Sequence, residues 1–192
     1  LNKLGCSALV LMRHFKSSDY AQLIRELCPE IYHKDYTQLD LVEIPTIERI
    51  IWIDEPDSDE EFNFMQKFSA WMAEGDANDP RVAERQAQLK NTDAINVQFT
   101  SGTTGTPKGA TLSHRNILNN GYFIGEAMNL TEEDRLCIPV PLYHCFGMVL
   151  GNLAILTHGG CIIYPNDGFE PLSVLQAVEE EKCTGLHGVP TM

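Results

Sequence analysis

Ten consecutive residues, Thr100-Ser101-Gly102-Thr103-Thr104-Gly105-Thr106-Pro107-Lys108-Gly109, concentrate groups that grip phosphate oxygens. Three glycines let the backbone turn tightly and bring its N–H groups against a ligand. Five hydroxyls add short, adaptable donors, and Lys108 adds a full positive charge. From Ala94 to Gly125 there is no Asp or Glu, while Lys108 and Arg115 both fall there. Charge-assisted hydrogen bonds of this kind are worth roughly 1.5–3 kcal/mol each, so the stretch suits a nucleoside triphosphate. A Walker A loop is excluded. It needs Gly directly before its Lys and Ser or Thr directly after, where this chain has Pro107 and Gly109. The alternative is a Gly/Thr turn between two strands with no ligand, against which stands the density of hydroxyls around one lysine.

Two later segments carry chemistry-bearing residues. Pro141-Leu142-Tyr143-His144-Cys145-Phe146-Gly147 sets an imidazole between aromatics, and Gly188-Val189-Pro190-Thr191 follows a short strand expected over Thr184–His187. A lone His on a partly apolar helix is ordinarily structural. His14, His33, His114, His158 and His187 are read that way.

The order and spacing of the three segments resemble the motifs of the adenylate-forming enzymes: acyl-CoA synthetases, luciferases and peptide-synthetase adenylation domains. The flanks Asn96-Val97-Gln98-Phe99 and Gly109-Ala110-Thr111-Leu112-Ser113-His114 are most similar to the medium-chain fatty acyl-CoA synthetase branch, with its mitochondrial members. The resemblance implies an α/β fold of layered sheets flanked by helices, with residues 1–192 forming part of the large N-terminal domain and the small C-terminal domain absent. It implies ATP-dependent activation of a fatty acid to acyl-adenylate and then acyl-CoA. ATP, coenzyme A and Mg2+ take part, the main metal ligand lying beyond this chain. In that scheme Thr100–Gly109 binds ATP, with Ser101, Thr103 and Thr104 on the β- and γ-phosphates and Lys108 stabilising the departing pyrophosphate. His144 lines the junction of the ATP and carboxylate sites. Tyr143, His144, Phe146, Gly147, Gly188 and Pro190 line the acyl pocket, Gly147 leaving room for the chain. Tyr143 and Phe146 could equally be core. A mitochondrial matrix location follows from the branch alone. Two other readings stay open: a non-catalytic fragment that binds nucleotide or a partner, and a luciferase-like adenylating oxygenase.

The elements that must position these residues read as follows. Strands are expected at Ser7–Met12, Arg49–Ile53, Ala94–Thr100, Gly109–Leu112, Arg135–Val140, Cys161–Tyr164 and Thr184–His187. Helices are expected over Ser17–Cys28 (with Tyr20, Leu23, Ile24 and Leu27 on one face), Glu60–Glu74, Pro80 to about Leu89, His114 to Met128, Tyr143–Thr157 and Pro171–Lys182. In the last of these, Leu172, Leu175 and Val178 align. Ser58 and Glu61 suit a capping box, Asp79-Pro80 a helix start and Ser113 a cap. Glu30–Glu48 has no period and reads as loop. Asp54–Glu61 holds six acids in eight residues, but a calcium loop there needs Gly where Phe62 stands. Gly121 and Gly125, four apart in a helix, suit close packing. Strands alternating with helices give an α/β fold with a largely parallel sheet.

The formal net charge of −13 argues against nucleic acid or an anionic membrane as partner, leaving small-molecule substrates. The apolar run Met148–Leu156 is too short to span a bilayer and contains Asn152. Six scattered cysteines, with no C-x-x-C pair, read as small thiols in a reducing compartment. The chain opens on Leu1 and closes on Met192 just after an expected strand, so it reads as an internal piece, unable to turn over by itself.

Overall fold

The computed structural model describes residues 1–53, 62–100, 105 and 107–192. The chain divides into two compact units, Leu1–Val82 and Ala83–Met192. Both are built from strands and helices in an α/β arrangement.

In the first unit β1 (Ala8–Met12), β4 (Arg49–Ile53) and β5 (Gln66–Lys67) form a parallel sheet with β4 in the centre. The register runs from Ala8 opposite Arg49 to Met12 opposite Ile53. Flanked on both sides, β4 buries Ile50, Ile51 and Trp52 in succession, as a central parallel strand must. A small hairpin of β2 (His14–Phe15) and β3 (Ser18–Asp19) leads into α1 (Tyr20–Leu27), where the Asp19 carboxylate accepts from the Gln22 N–H. The buried stripe of α1 is Ala21, Ile24 and Cys28; Leu23 is 51% exposed and Leu27 44%. The face expected from the larger apolar residues is thus rotated. Small Ala21 and Cys28 flank Ile24 against the core, and Arg25 lies over the rings of Tyr32, Phe62 and Phe64 at 5.2–5.3 Å.

The aperiodic stretch after α1 begins with a 3₁₀ turn, Pro29–His33, and supplies Ile31, Leu39, Leu41, Ile44 and Ile47 to that core. The helix expected over Glu60–Glu74 is confined to α2 (Phe68–Ala73). Three consecutive buried residues, Phe64, Met65 and Gln66, cannot share one face of a helix, and Gln66–Lys67 instead pair with Ile51–Trp52 as an edge strand. The buried Gln66 amide finds its acceptor in Glu74. The acidic run Asp54–Glu61, with the expected Ser58–Glu61 box, lies outside the described residues. Helix α3 (Pro80–Gln88) starts where Asp79-Pro80 marks it, with Asp79 accepting from the Arg81 N–H.

The second unit opens with a hairpin. β6 (Ala94–Thr100) pairs antiparallel with β7 (Lys108–Ser113), from Ala94 opposite Ser113 to Thr100 opposite Lys108. Ser113 ends β7 and caps α4 (His114–Met128) through a reciprocal box with Asn116. Asn129, at φ 55°, closes that helix in the left-handed region.

A parallel sheet follows, in the order β10 (Gly185–Leu186), β8 (Arg135–Cys137), β9 (Cys161–Ile163). Residues of β8 alternate between its faces: Leu136 packs with Ile155, Cys137 with Val174. Desolvation pushes the buried Cys137 thiol up to about 11, so it stays a neutral thiol. The helix expected from Tyr143 starts three residues later, as a π-helix over Phe146–Leu153 that tightens into α5 (Ala154–Leu156). In α6 (Pro171–Glu180) the buried residue is Val174, with Ala177 and Val178 beside it; Leu172 and Leu175 face outward. Among the described residues no helix is long and apolar enough to cross a membrane.

Helix α4 and the π-helix/α5 segment touch along the two glycines of α4. A Cβ on Gly121 would lie 2.6 Å from Leu153 Cβ, and one on Gly125 would lie 2.3 Å from the His158 ring. His158 fills that notch with a side chain 8% exposed. Its Nδ1 lies 2.9 Å from the Ala154 carbonyl and its Nε2 3.1 Å from Glu126, and the ring stacks on Tyr122 at 5.2 Å. The Ala154 carbonyl first, and then Glu126, raise the His158 pKa above its ordinary value, because acceptors at both nitrogens favour the doubly protonated ring. This contribution to stability is complete below the unfolded-state value, about 6.5, and is lost as pH rises through the higher folded value. In urea unfolding of the full-length protein, wild type should lose stability relative to His158→Gln as pH rises through that window. Parallel pH profiles would contradict the assignment.

Candidate functional site

The hairpin is the frame of the glycine-rich segment. Thr100 and Lys108 are register partners at its loop end, and the Thr100 hydroxyl lies 3.5 Å from the Lys108 carbonyl. Ser101, Gly102, Thr103, Thr104 and Thr106 lie outside the described residues. Of the rest, Gly105 has φ +135°, a conformation L side chains rarely adopt, and Pro107, Lys108 and Gly109 are exposed. Gly109 leaves no room for a side chain: a Cβ there would lie 2.8 Å from Val97 Cγ1 and 3.4 Å from the Phe99 ring. Val97, Phe99 and Gly109 therefore share one face of the hairpin, and strand alternation puts Gln98, Thr100, Lys108 and Ala110 on the other.

The second segment meets this second face. Gln98 Nε2 donates to the Tyr143 carbonyl at 3.0 Å, fixing the Pro141–Phe146 turn to β6. Inside the turn, the His144 N–H donates to the Pro141 carbonyl at 3.2 Å and the Phe146 N–H to His144 Nδ1 at 3.1 Å. With Nδ1 accepting, the imidazole proton sits on Nε2, so His144 offers a donor outward from an exposed ring. Tyr143 is 73% exposed, which separates it from the core. Cys145 is exposed as well, its Sγ 3.7 Å from His144 Nδ1.

Gly147 is buried beneath this turn. A Cβ there would lie 2.5 Å from the Pro141 carbonyl oxygen and 3.0 Å from Leu142 Cα. The space on that side belongs to the chain's own backbone, so the glycine lets the π-helix start directly beneath the turn.

The third segment is joined to the second through His187. Its N–H donates to the Cys137 carbonyl, its Nε2 lies 3.0 Å from the Leu150 carbonyl, and its ring packs at 5.0 Å from Phe146. Gly188, with open space where a Cβ would point, and exposed Pro190 follow at once. Phe146 and His187 thus connect the neighbourhoods of two motifs. Gln98 and His187 are the residues sequence reading missed. For Gln98 a signal existed: it stands two residues before Thr100 and so shares its face.

Elsewhere, a groove of about 430 Å³ between β9 and α6, lined by Arg135, Tyr164, Ser173, Gln176 and Glu181 among others, includes no residue of the three motifs. Among the described residues no group of three His, Cys, Asp or Glu side chains could hold a metal ion.

Comparison with known proteins agrees with this arrangement. The AMP-binding enzyme family matches residues 1–192. The mitochondrial medium-chain acyl-CoA ligase of Danio rerio is 40% identical over the whole chain, which spans 31% of that protein. The Bos taurus ligase of the same name is 38% identical over the whole chain, again covering 31% of its length. The acyl-CoA ligase sidI of Aspergillus fumigatus is 60% identical over 111 residues, 58% of this chain and 19% of that one. The chain therefore spans about a third or less of the curated relatives' length. In fold it is similar to the anthranilate CoA ligase AuaEII, solved with anthranoyl-AMP, with a TM-score of 0.67 and 20% identity over 97% of this chain and 31% of that one.

A side chain at position 147 must push the turn off the π-helix. Gly147→Ala should cost the full-length protein about 1–3 kcal/mol of unfolding free energy, the range for overpacking against backbone that cannot retreat. Denaturant unfolding measures this, and an unchanged midpoint would show that the turn has slack.

Proposed function

The chain belongs to the AMP-binding enzyme family, and from that membership we propose that it is part of an ATP-dependent acyl-CoA synthetase, an acid–thiol ligase. The carboxylate of a fatty acid attacks the α-phosphorus of ATP, forming the acyl–phosphate bond and expelling pyrophosphate. The thiol of coenzyme A then attacks the acyl carbon, giving the thioester and releasing AMP. The observation that carries this reading is one hairpin face that holds Thr100 and Lys108 and receives the turn bearing His144.

In this reading Thr100–Gly109 cradles the triphosphate. Ser101, Thr103 and Thr104 serve the β- and γ-phosphates, and the Lys108 ammonium stabilises charge as pyrophosphate departs. Exposed Lys108 stands at the start of β7 without an acidic residue nearby in sequence, so its charge is available to an anion. His144 offers its Nε2–H where carboxylate and phosphate meet. Tyr143, Phe146, Gly147, Gly188 and Pro190 border the acyl chain, Gly147 also setting the turn that carries Tyr143 and Phe146. Mg2+ would neutralise charge on the triphosphate, and we assign its main protein ligand to the rest of the protein.

A medium-chain fatty acid and a mitochondrial location are supported by the relatives from Danio rerio and Bos taurus, which match along the whole chain. The stronger but shorter likeness to the sidI ligase supports acyl-CoA ligation without naming an acid, so medium-chain and other acids stand as the alternatives. Carboxylate-dependent exchange of pyrophosphate into ATP, run on the full-length protein with a ladder of fatty acids, decides between them. A maximum at medium chains supports the branch, a maximum elsewhere keeps only the ligase, and no exchange from folded protein refutes the adenylation reading. Lys108→Ala should slow single-turnover adenylation by roughly 10²–10³-fold, the loss of one preorganised charge. A rate close to wild type would remove Lys108 from the mechanism.

A further inference from the structure

The phosphate-loop hairpin and the His144 turn are 45 residues apart along the chain where they touch, and a side-chain amide joins them. Gln98 reaches from the Lys108 face of β6 and donates to the Tyr143 carbonyl at 3.0 Å. The turn it grips is already taut. The His144 N–H is on the Pro141 carbonyl, the Phe146 N–H is on His144 Nδ1, and Gly147 holds Pro141 against the π-helix. A pull on the Tyr143 carbonyl is therefore passed to the adjacent imidazole instead of being absorbed by the turn. Two residues along the same face stands Thr100, about 7 Å away by strand rise, opposite Lys108.

We propose that Gln98 is a positioning residue: its amide sets the distance between His144 and the Lys108 end of the hairpin, and with it the approach of the acid's carboxylate to the nucleotide phosphates. The proposal rests on the adenylation reading given above. Neither Gln98 nor the Tyr143 carbonyl touches the reacting atoms. They act through the imidazole and the loop, and attack requires reacting atoms held about 3–3.5 Å apart. The side-chain type is specific. Asn is one methylene too short, Glu would face the carbonyl with an acceptor, and Met has the length without the donor.

The test compares full-length wild type with Gln98→Met in pyrophosphate exchange, varying fatty acid and ATP separately. The expected result is a loss of about tenfold in kcat/KM for the fatty acid, the scale of a small misplacement of reactants. The KM for ATP and the unfolding midpoint should stay near wild type, because the bond is exposed. In a His144→Ala background the same substitution should add less than about twofold, since the two residues act in series. A fatty-acid kcat/KM within about twofold of wild type overturns the proposal, as do effects that multiply fully with His144→Ala. A parallel rise in the KM for ATP with a lower unfolding midpoint also overturns it, by assigning Gln98 a general structural role. Should Gln98→Met not fold, Gln98→Glu takes its place with the same outcomes. Folded wild type without exchange refutes the adenylation reading and this proposal together; active wild type with an indifferent Gln98→Met refutes the proposal alone.

Discussion

Several stretches of backbone in the second unit lie closer than a side chain permits, and two of these contacts fix the π-helix on which its other elements lean. At Gly147 the π-helix begins against the Pro141 carbonyl; at Gly121 the side of α4 meets Leu153 near the other end of the same helix. Both glycines lose more backbone entropy on folding than another residue would, and what they gain is proximity. The π-helix is pinned at its two ends, which fixes the turn above its start and α4 along its flank. Since α4 grows straight out of β7 through the Ser113 cap, the hairpin inherits its place from the same contacts. A wide helix, rare in proteins and concentrated at functional sites, is tolerated where short residues line its neighbours.

The electrostatic design is local. A chain of net charge −13 keeps one long stretch free of acids and places a single lysine at the mouth of a hairpin there. Among the described residues some charged groups pair at a distance in sequence, as Arg135 does with Glu181, and others act as helix caps, as Asp19 and Glu170 do. Lys108 sits among hydroxyls and glycines. Under the adenylation reading, those residue types suit an anion.

Helix starts and central strands were legible in the sequence because each is signalled by chemistry within a few residues. Arg49–Ile53, Pro80 and the Ser113-to-Met128 helix fall where caps and apolar runs put them. The buried faces of α1 and α6 were not legible, since the larger apolar residues Leu23, Leu27, Leu172 and Leu175 lost the core to smaller neighbours. Size predicts burial only when shape allows approach, and that depends on residues distant in the chain. The core contribution of the aperiodic stretch Pro29–Ile47 was hidden for the same reason. Of the site, the motif residues were visible through their types. The amide of Gln98 and the imidazole of His187, which join one motif to another, acquire meaning only when strands 45 and 37 residues from their partners fold beside them.

The hairpin register also limits how the gene can vary. Because side chains alternate along a strand, sliding β7 by one position would turn Lys108 to the opposite face and force a side chain into the 2.8 Å gap beside Val97 that Gly109 leaves open. Gly109 thus acts as a parity check. Insertions and deletions confined to the tip leave the reading of β7 unchanged, whereas an odd shift in the strand itself fails at the first residue after the lysine. Phase in the strand is not negotiable.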